Sequence, residues 1–136
     1  MDDLWKEIEK STKTIFRIFF GSKLFSENGN CNPAKTAFGV DLVMNYQGKK
    51  KLSLYLEEDT IYSILNKIGQ GGCSNFNKLA YEVIGELASI IACGALADIP
   101  DSVSVSEPER AAPFYNRGGI GFMSDLGNFS ICISEI

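Results

Sequence analysis

The segment YEVIGELASIIACGALADI, Tyr81 to Ile99, is apolar or small at nearly every position, yet it carries Glu82, Glu86 and Ser89. On a helix that advances about 100° per residue, Lys78, Glu82, Glu86, Ser89 and Cys93 return to one azimuth, because they are separated by three or four positions. A carboxylate on such a stripe can hold a cation, and a hydroxyl can hold a water. Gly85, Ala88 and Ala92 run beside it and leave the helix backbone approachable, so that a partner element lying along the helix would meet Glu86 and Ser89. The outward side of any helix packed on a sheet also carries carboxylates, so spacing alone leaves the stripe readable as solvated surface. Two glutamates four apart repel slightly, and a basic partner would relieve that.

Other chemistries are poorly supplied. Histidine is absent, which removes the commonest general base and metal ligand. Cys31, Cys73, Cys93 and Cys132 lie far apart with no C-x-x-C pair, so neither a zinc knuckle nor a redox motif is spelled out, and reduced, mostly buried thiols are expected. A net charge of −4 argues against a nucleic-acid partner, which needs clustered cations to neutralise phosphates. Only Lys49, Lys50 and Lys51 cluster, beside Gly48, as expected of a solvated hairpin tip. No apolar run near twenty residues is apparent, and Asp2 and Asp3 stand where a secretory signal would carry basic residues, so the expectation is a soluble cytoplasmic protein with no membrane partner.

The elements that must position the stripe can be read from periodicity. Leu4, Trp5, Ile8, Ser11, Thr12, Ile15, Ile18 and Phe19 follow one helical face, and Gly21 can supply the left-handed residue that closes it. Glu27 to Pro33 gathers Asn, Gly and Pro and reads as a connector, with Asn28 and Asn30 as turn formers. Phe38, Val40, Leu42 and Met44, then Leu52, Leu54 and Leu56, alternate as the two strands of a hairpin turning near Gly48. EEDTIYSILNKIG reads as a short helix with acids at its positive end. The stripe-bearing helix follows, capped by Ser74 or Asn75 and ended by Pro100, with Phe76, Ala80, Val83, Leu87, Ile91 and Gly94 as its buried face and Ile84 and Ile90 at the margins. Ser102 to Pro108 reads as a short strand, and the tail as two more, holding Ile120 and Phe122, then Phe129, Ile131 and Ile133, joined by a turn at Asp125 to Asn128. The chain is long enough for one domain, residues 1–136. Its order of elements predicts an α+β fold of two layers, a largely antiparallel β-sheet with helices packed on it.

GELASIIACGALADI resembles the central helix of the CheX, CheC and FliY chemotaxis phosphatases, in which an E-x-x-N motif is followed by M/I-I-A-G. The resemblance runs from about Gly39 to Pro108, through QGKKKLSLYLEEDTIYSIL upstream and SVSVSEP downstream, whose Pro108 matches the proline closing the family's extended motif. It implies a CheC/CheX-like fold and, as partner, a phosphorylated CheY-like response regulator of a chemotaxis or other two-component pathway. In the family the glutamate pairs with the regulator's active-site lysine and the asparagine amide orients a water for attack on the aspartyl phosphate. Carried over, the catalytic pair is Glu86 and Ser89, and the partner-facing residues are Glu82, Gly85, Ala92, Cys93 and Pro108.

Three departures accompany the match. Ser89 stands where the family has asparagine, Glu82 where it prefers Asp or Ser, and the interval from Ser89 to Pro108 is a few residues short. A serine hydroxyl is shorter and less directional than a planar amide. The resemblance therefore implies either a weak phosphatase or a non-catalytic regulator-binding module of the same fold. No cofactor of its own is expected, since Mg²⁺ and the acyl phosphate would belong to the regulator. It also implies a possible homodimer, for which Phe129 to Ile133 as an exposed edge strand would offer a route, while Trp5, Phe16, Phe19 and Phe20 are expected in the core or a dimer contact.

Overall fold

A computed structural model describes residues 2–31, 38–69, 75–97, 104–111 and 117–135. The elements are α1 (Asp2–Phe20), β1 (Phe25–Cys31), β2 (Phe38–Asn45), β3 (Lys49–Leu56), α2 (Glu58–Lys67), α3 (Phe76–Leu96), β4 (Ser104–Val105), β5 (Glu109–Ala111), β6 (Arg117–Ser124) and β7 (Gly127–Glu135). The strands form one seven-stranded sheet in the order β1-β6-β7-β3-β2-β4, with β5 also on β2, and every pairing is antiparallel. The expected α+β architecture is the observed one.

The alternating apolar residues of the two hairpins become one face of this sheet. Val40, Leu42 and Met44 of β2, Leu52, Leu54 and Leu56 of β3, Ile131 of β7 and Ile120 and Phe122 of β6 are at most 2 % exposed. Leu4, Ile8 and Phe16 of α1, Ile61, Ile64 and Leu65 of α2, and Ile84 and Ile91 of α3 complete the same core. Phe129 sits between two rings, stacked on Phe122 with centroids 4.9 Å apart and on Phe16 at 4.7 Å. α3 lies along β2 and β3, and α1 lies against α3, where the Ser11 hydroxyl donates to the Ile91 carbonyl at 2.9 Å. Gly94 has room only for hydrogen at this crossing, since a Cβ would stand 2.6 Å from Ser11 Oγ.

α1 closes as expected: Gly21 adopts φ 61° and its N–H reaches the Arg17 carbonyl at 3.0 Å. Its buried face differs at the last turn, where Phe16 and Phe20 enter the core while Ile18 and Phe19 are 65 % and 53 % exposed. The aromatic stack on Phe129 takes Phe16, and Phe20 packs edge-on against Phe16 at 5.2 Å. Trp5 is half-buried against the core.

The connector expected at Glu27 is instead strand β1, which pairs along its length with β6, Asn28 opposite Ile120 and Asn30 opposite Gly118. A long-range ladder overrides the local turn preference of these residues. Pro33 lies outside the described residues. β7 is not an edge, because β6 and β3 flank it, so it offers no route to a second copy; the outer strands are β1 on one side and β4 with β5 on the other.

The lysine cluster is only partly solvated. Lys50 is 4 % exposed, and its ammonium donates to the Tyr46 and Gln47 carbonyls of the hairpin turn, each at 2.9 Å, with Glu135 at 3.8 Å. Lys51 lies 3.9 Å from Asp41, which leaves Lys49 as the solvated member. Contrary to the reading of the sequence, one helix among the described residues, α3, is long and apolar enough to cross a membrane; half of its apolar stretch is buried inside the protein, as befits the helix that packs on the sheet. Cys132 is buried, and Cys93 is exposed, on the stripe where its spacing put it. Cys73 and the side chain of Cys31 lie outside the description.

Candidate functional site

Asn75 is the cap of α3, its side-chain oxygen accepting from the Lys78 N–H at 3.4 Å, and the helix ends at Leu96, before Pro100. Once the helix is laid on β2 and β3, its apolar positions choose a face. Ala80, Ile84, Leu87, Ala88, Ile91 and Ala92 are buried, while Val83 is half-buried and Gly94 exposed, so the buried face is rotated toward Ile84 and Ala88 from the one predicted. A helix apolar on most sides does not specify by periodicity which side turns inward.

The polar stripe survives this rotation. Lys78, Glu82, Glu86 and Cys93 are exposed and Ser89 is half-buried. Among the described residues, neither Glu86 nor Ser89 has a hydrogen-bond or ion-pair partner. Gly85 and Ala92 do not form an open ridge beside them. Ala92 is fully buried, and Gly85 is covered by the chain's own Pro108, whose Cγ would stand 3.1 Å from a Cβ placed there. The small residue at position 85 thus admits an internal neighbour rather than a visiting one.

That neighbour builds the site's second wall. β4 pairs with Met44 and Asn45 and β5 with residues 39–41, so residues 104–111 follow one edge of β2 with a break between. Ser106 spans the break: its N–H donates to the Val43 carbonyl and its hydroxyl accepts from the Val43 N–H, both at 2.8 Å. Pro108 has no N–H to give a ladder, and leans on Gly85 instead. Between this edge and α3 runs a groove of about 890 Å³, with Glu82, Glu86 and Ser89 on the helix side and Glu107, Glu109 and Arg110 on the other. The Arg110 guanidinium lies over the Tyr81 ring, 4.2 Å from its centroid. Lys78 is the other cation on the lining, so four carboxylates face two cations.

Pro108 lines the groove with Gly85, Glu86 and Ser89, whereas Glu107, Glu109 and Arg110 were not foreseen. Of the strand expected from Ser102 to Pro108, Ser104–Val105 is β4, with β5 following it, while Ser102 and Val103 lie outside the described residues; the apolar alternation of Val103 and Val105 stops at Glu107, so periodicity carried no signal for β5. Chemically, the groove can hold a cationic side chain on its carboxylates and a water on the Ser89 hydroxyl. Among the described residues, no group of three His, Cys, Asp or Glu side chains is set to hold a metal.

Neither a protein-family model nor a curated protein sequence matches the chain. Solved structures do. The chemotaxis protein CheX from Desulfovibrio desulfuricans aligns with a TM-score of 0.77 at 12 % identity, over 96 % of this chain and 97 % of that one. A CheC-like superfamily protein from Shewanella sp. PV-4 aligns at 0.72 and 19 %, over 97 % of each. The CheX of Borrelia burgdorferi, solved as a complex with CheY, BeF3 and Mg²⁺, aligns at 0.71 and 8 %, over 95 % of each. Glu86 and Ser89 thus stand on the central helix of a chain that has the fold of the CheX and CheC-like chemotaxis proteins.

Proposed function

We propose that the chain docks on a phosphorylated CheY-like receiver domain through Glu86 and promotes, slowly, the hydrolysis of its aspartyl phosphate. The carrying observation is the exposure of Glu86 with Ser89 one turn on, both unpartnered among the described residues, at the mouth of an acidic groove. The likeness to a CheX solved with CheY supports a receiver as partner. Glu86 would hold the receiver's lysine, with Glu82 and Pro108 bordering the contact and Cys93 at its far end. The Ser89 hydroxyl would hold a water for attack on phosphorus. The phosphorus–oxygen bond to the receiver's aspartate breaks as the water oxygen bonds to phosphorus, releasing inorganic phosphate and a free carboxylate. Mg²⁺ belongs to the receiver, and this chain contributes position alone. The setting is the cytoplasm, and a homodimer would use the outer strands β1 or β4 and β5.

The partial burial of Ser89 favours a second reading, a module that binds the receiver without speeding hydrolysis. Phosphate release separates the two, measured from CheY-like receiver domains of the same genome charged with acetyl phosphate. Ser89→Asn extends the polar group outward, and since a misplacement of about 1 Å costs on the order of a hundredfold, the rate should rise by up to that factor. Glu86→Ala should weaken binding roughly tenfold. A wild-type rate equal to the receiver's own leaves the binding module. A Ser89→Asn variant no faster than wild type removes the water from position 89.

A further inference from the structure

Four of the large apolar side chains left exposed come together in one place. Ile18 and Phe19 from the last turn of α1, Ile68 from the end of α2 and Ile90 from α3 are 65 %, 53 %, 45 % and 39 % exposed, and they line one groove of about 450 Å³. Glu86 and Ile90 line this groove and the acidic one alike, so the two share an edge. An apolar cluster of this kind marks a contact surface.

Charge decides between a second copy and a different partner. A two-fold pair of copies meeting here would set each patch against itself. That would draw together two copies of Glu86, the one charged residue lining the apolar groove, in a chain of net charge −4. A partner that carries a cation beside an apolar side chain satisfies both grooves at once. We propose that the apolar groove is the second half of the docking surface: the receiver that sets its lysine on Glu86 seats a neighbouring aliphatic or aromatic side chain among Ile18, Phe19, Ile68 and Ile90. This rests on the receiver-docking reading and adds to it an element that would choose among receivers, since a groove of fixed shape discriminates by the side chain it must seat.

The test uses Ile18→Asn with Ile68→Asn, two exposed positions near helix ends where asparagine is tolerated, and Ile18→Ala with Ile68→Ala as the milder pair should the first melt early. Binding of each acetyl-phosphate-charged receiver is titrated at two salt concentrations, with the oligomeric state followed by sedimentation. The expected result is a loss of about tenfold in affinity with the salt dependence of the wild type kept, while Glu86→Ala flattens that dependence. Wild-type affinity in both pairs overturns the groove and leaves the docking reading standing. A wild type that binds no receiver overturns both. A pair of substitutions that instead splits a dimer assigns the groove to a second copy and overturns the proposal.

Discussion

Gly85 and Pro108 join the two walls of the groove, and their contact can be weighed. A Cβ on residue 85 would stand 3.1 Å from Pro108 Cγ and 3.5 Å from its Cβ. Carbon atoms rest at about 3.5–4.0 Å, so Gly85→Ala requires the proline or the helix to yield by about 0.5 Å. Overpacking of this kind costs about 1–3 kcal/mol. Alanine in a helix interior offsets about 1 kcal/mol of that. Alone, Gly85→Ala should therefore lower stability by about 0–2 kcal/mol. In a Pro108→Ala background Cγ is gone and the remaining contact is ordinary, so the same substitution should now stabilise by about 1 kcal/mol. The double-mutant cycle, read from urea midpoints at constant slope, should give a coupling of about 1–3 kcal/mol. The receiver affinity of Gly85→Ala should also change, because the wall carrying Glu107 and Glu109 is displaced from Glu86. Effects that simply add, within about 0.5 kcal/mol, would mean that Pro108 is not seated on Gly85 and that the groove has no fixed width.

Two more substitutions probe the scaffold. Gly39→Ala would set a Cβ 2.5 Å from two carbons of the Tyr55 ring, and that ring is 1 % exposed, so it has nowhere to swing; calorimetry should show a loss of about 2–3 kcal/mol. Lys50→Met keeps the buried stem but leaves the Tyr46 and Gln47 carbonyls without their donor, at a cost of about 1–3 kcal/mol. That cost should persist in about 0.5 M salt, where surface ion pairs are screened; if it disappears there, the contact with Glu135 was its source.

The pattern of what was legible follows from where the information sits. Helices α1 and α2 and the β2–β3 and β6–β7 hairpins are written as local periods, and local periods survive folding. The exposure of Glu86 and the half-exposure of Ser89 are likewise set by spacing on one helix. The groove is not local: Glu107 and Arg110 reach α3 through the pairing of β4 and β5 with β2 and the fit of Pro108 against Gly85, long-range contacts that carry no periodic signature. The inward side of α3 was misplaced for the opposite reason, an excess of apolar positions from which the sheet selects Ile84 and Ala88. Ile18 and Phe19 obey the helical period and still face an open groove, since their exposure depends on what α2 and α3 fail to cover.

β1 has a single sheet neighbour, β6, and the two are brought together from distant parts of the chain, Phe25 opposite Met123 and Cys31 opposite Arg117. A ribosome adds about 5–20 residues per second, so the nascent strand waits on the order of 5–20 s before its mate emerges. A strand rich in valine and isoleucine would spend that interval as a template for stray chains. The serine, glutamate, asparagines and glycine of β1 make it a poor one, and the same reticence that disguises the segment as a loop protects the half-made protein.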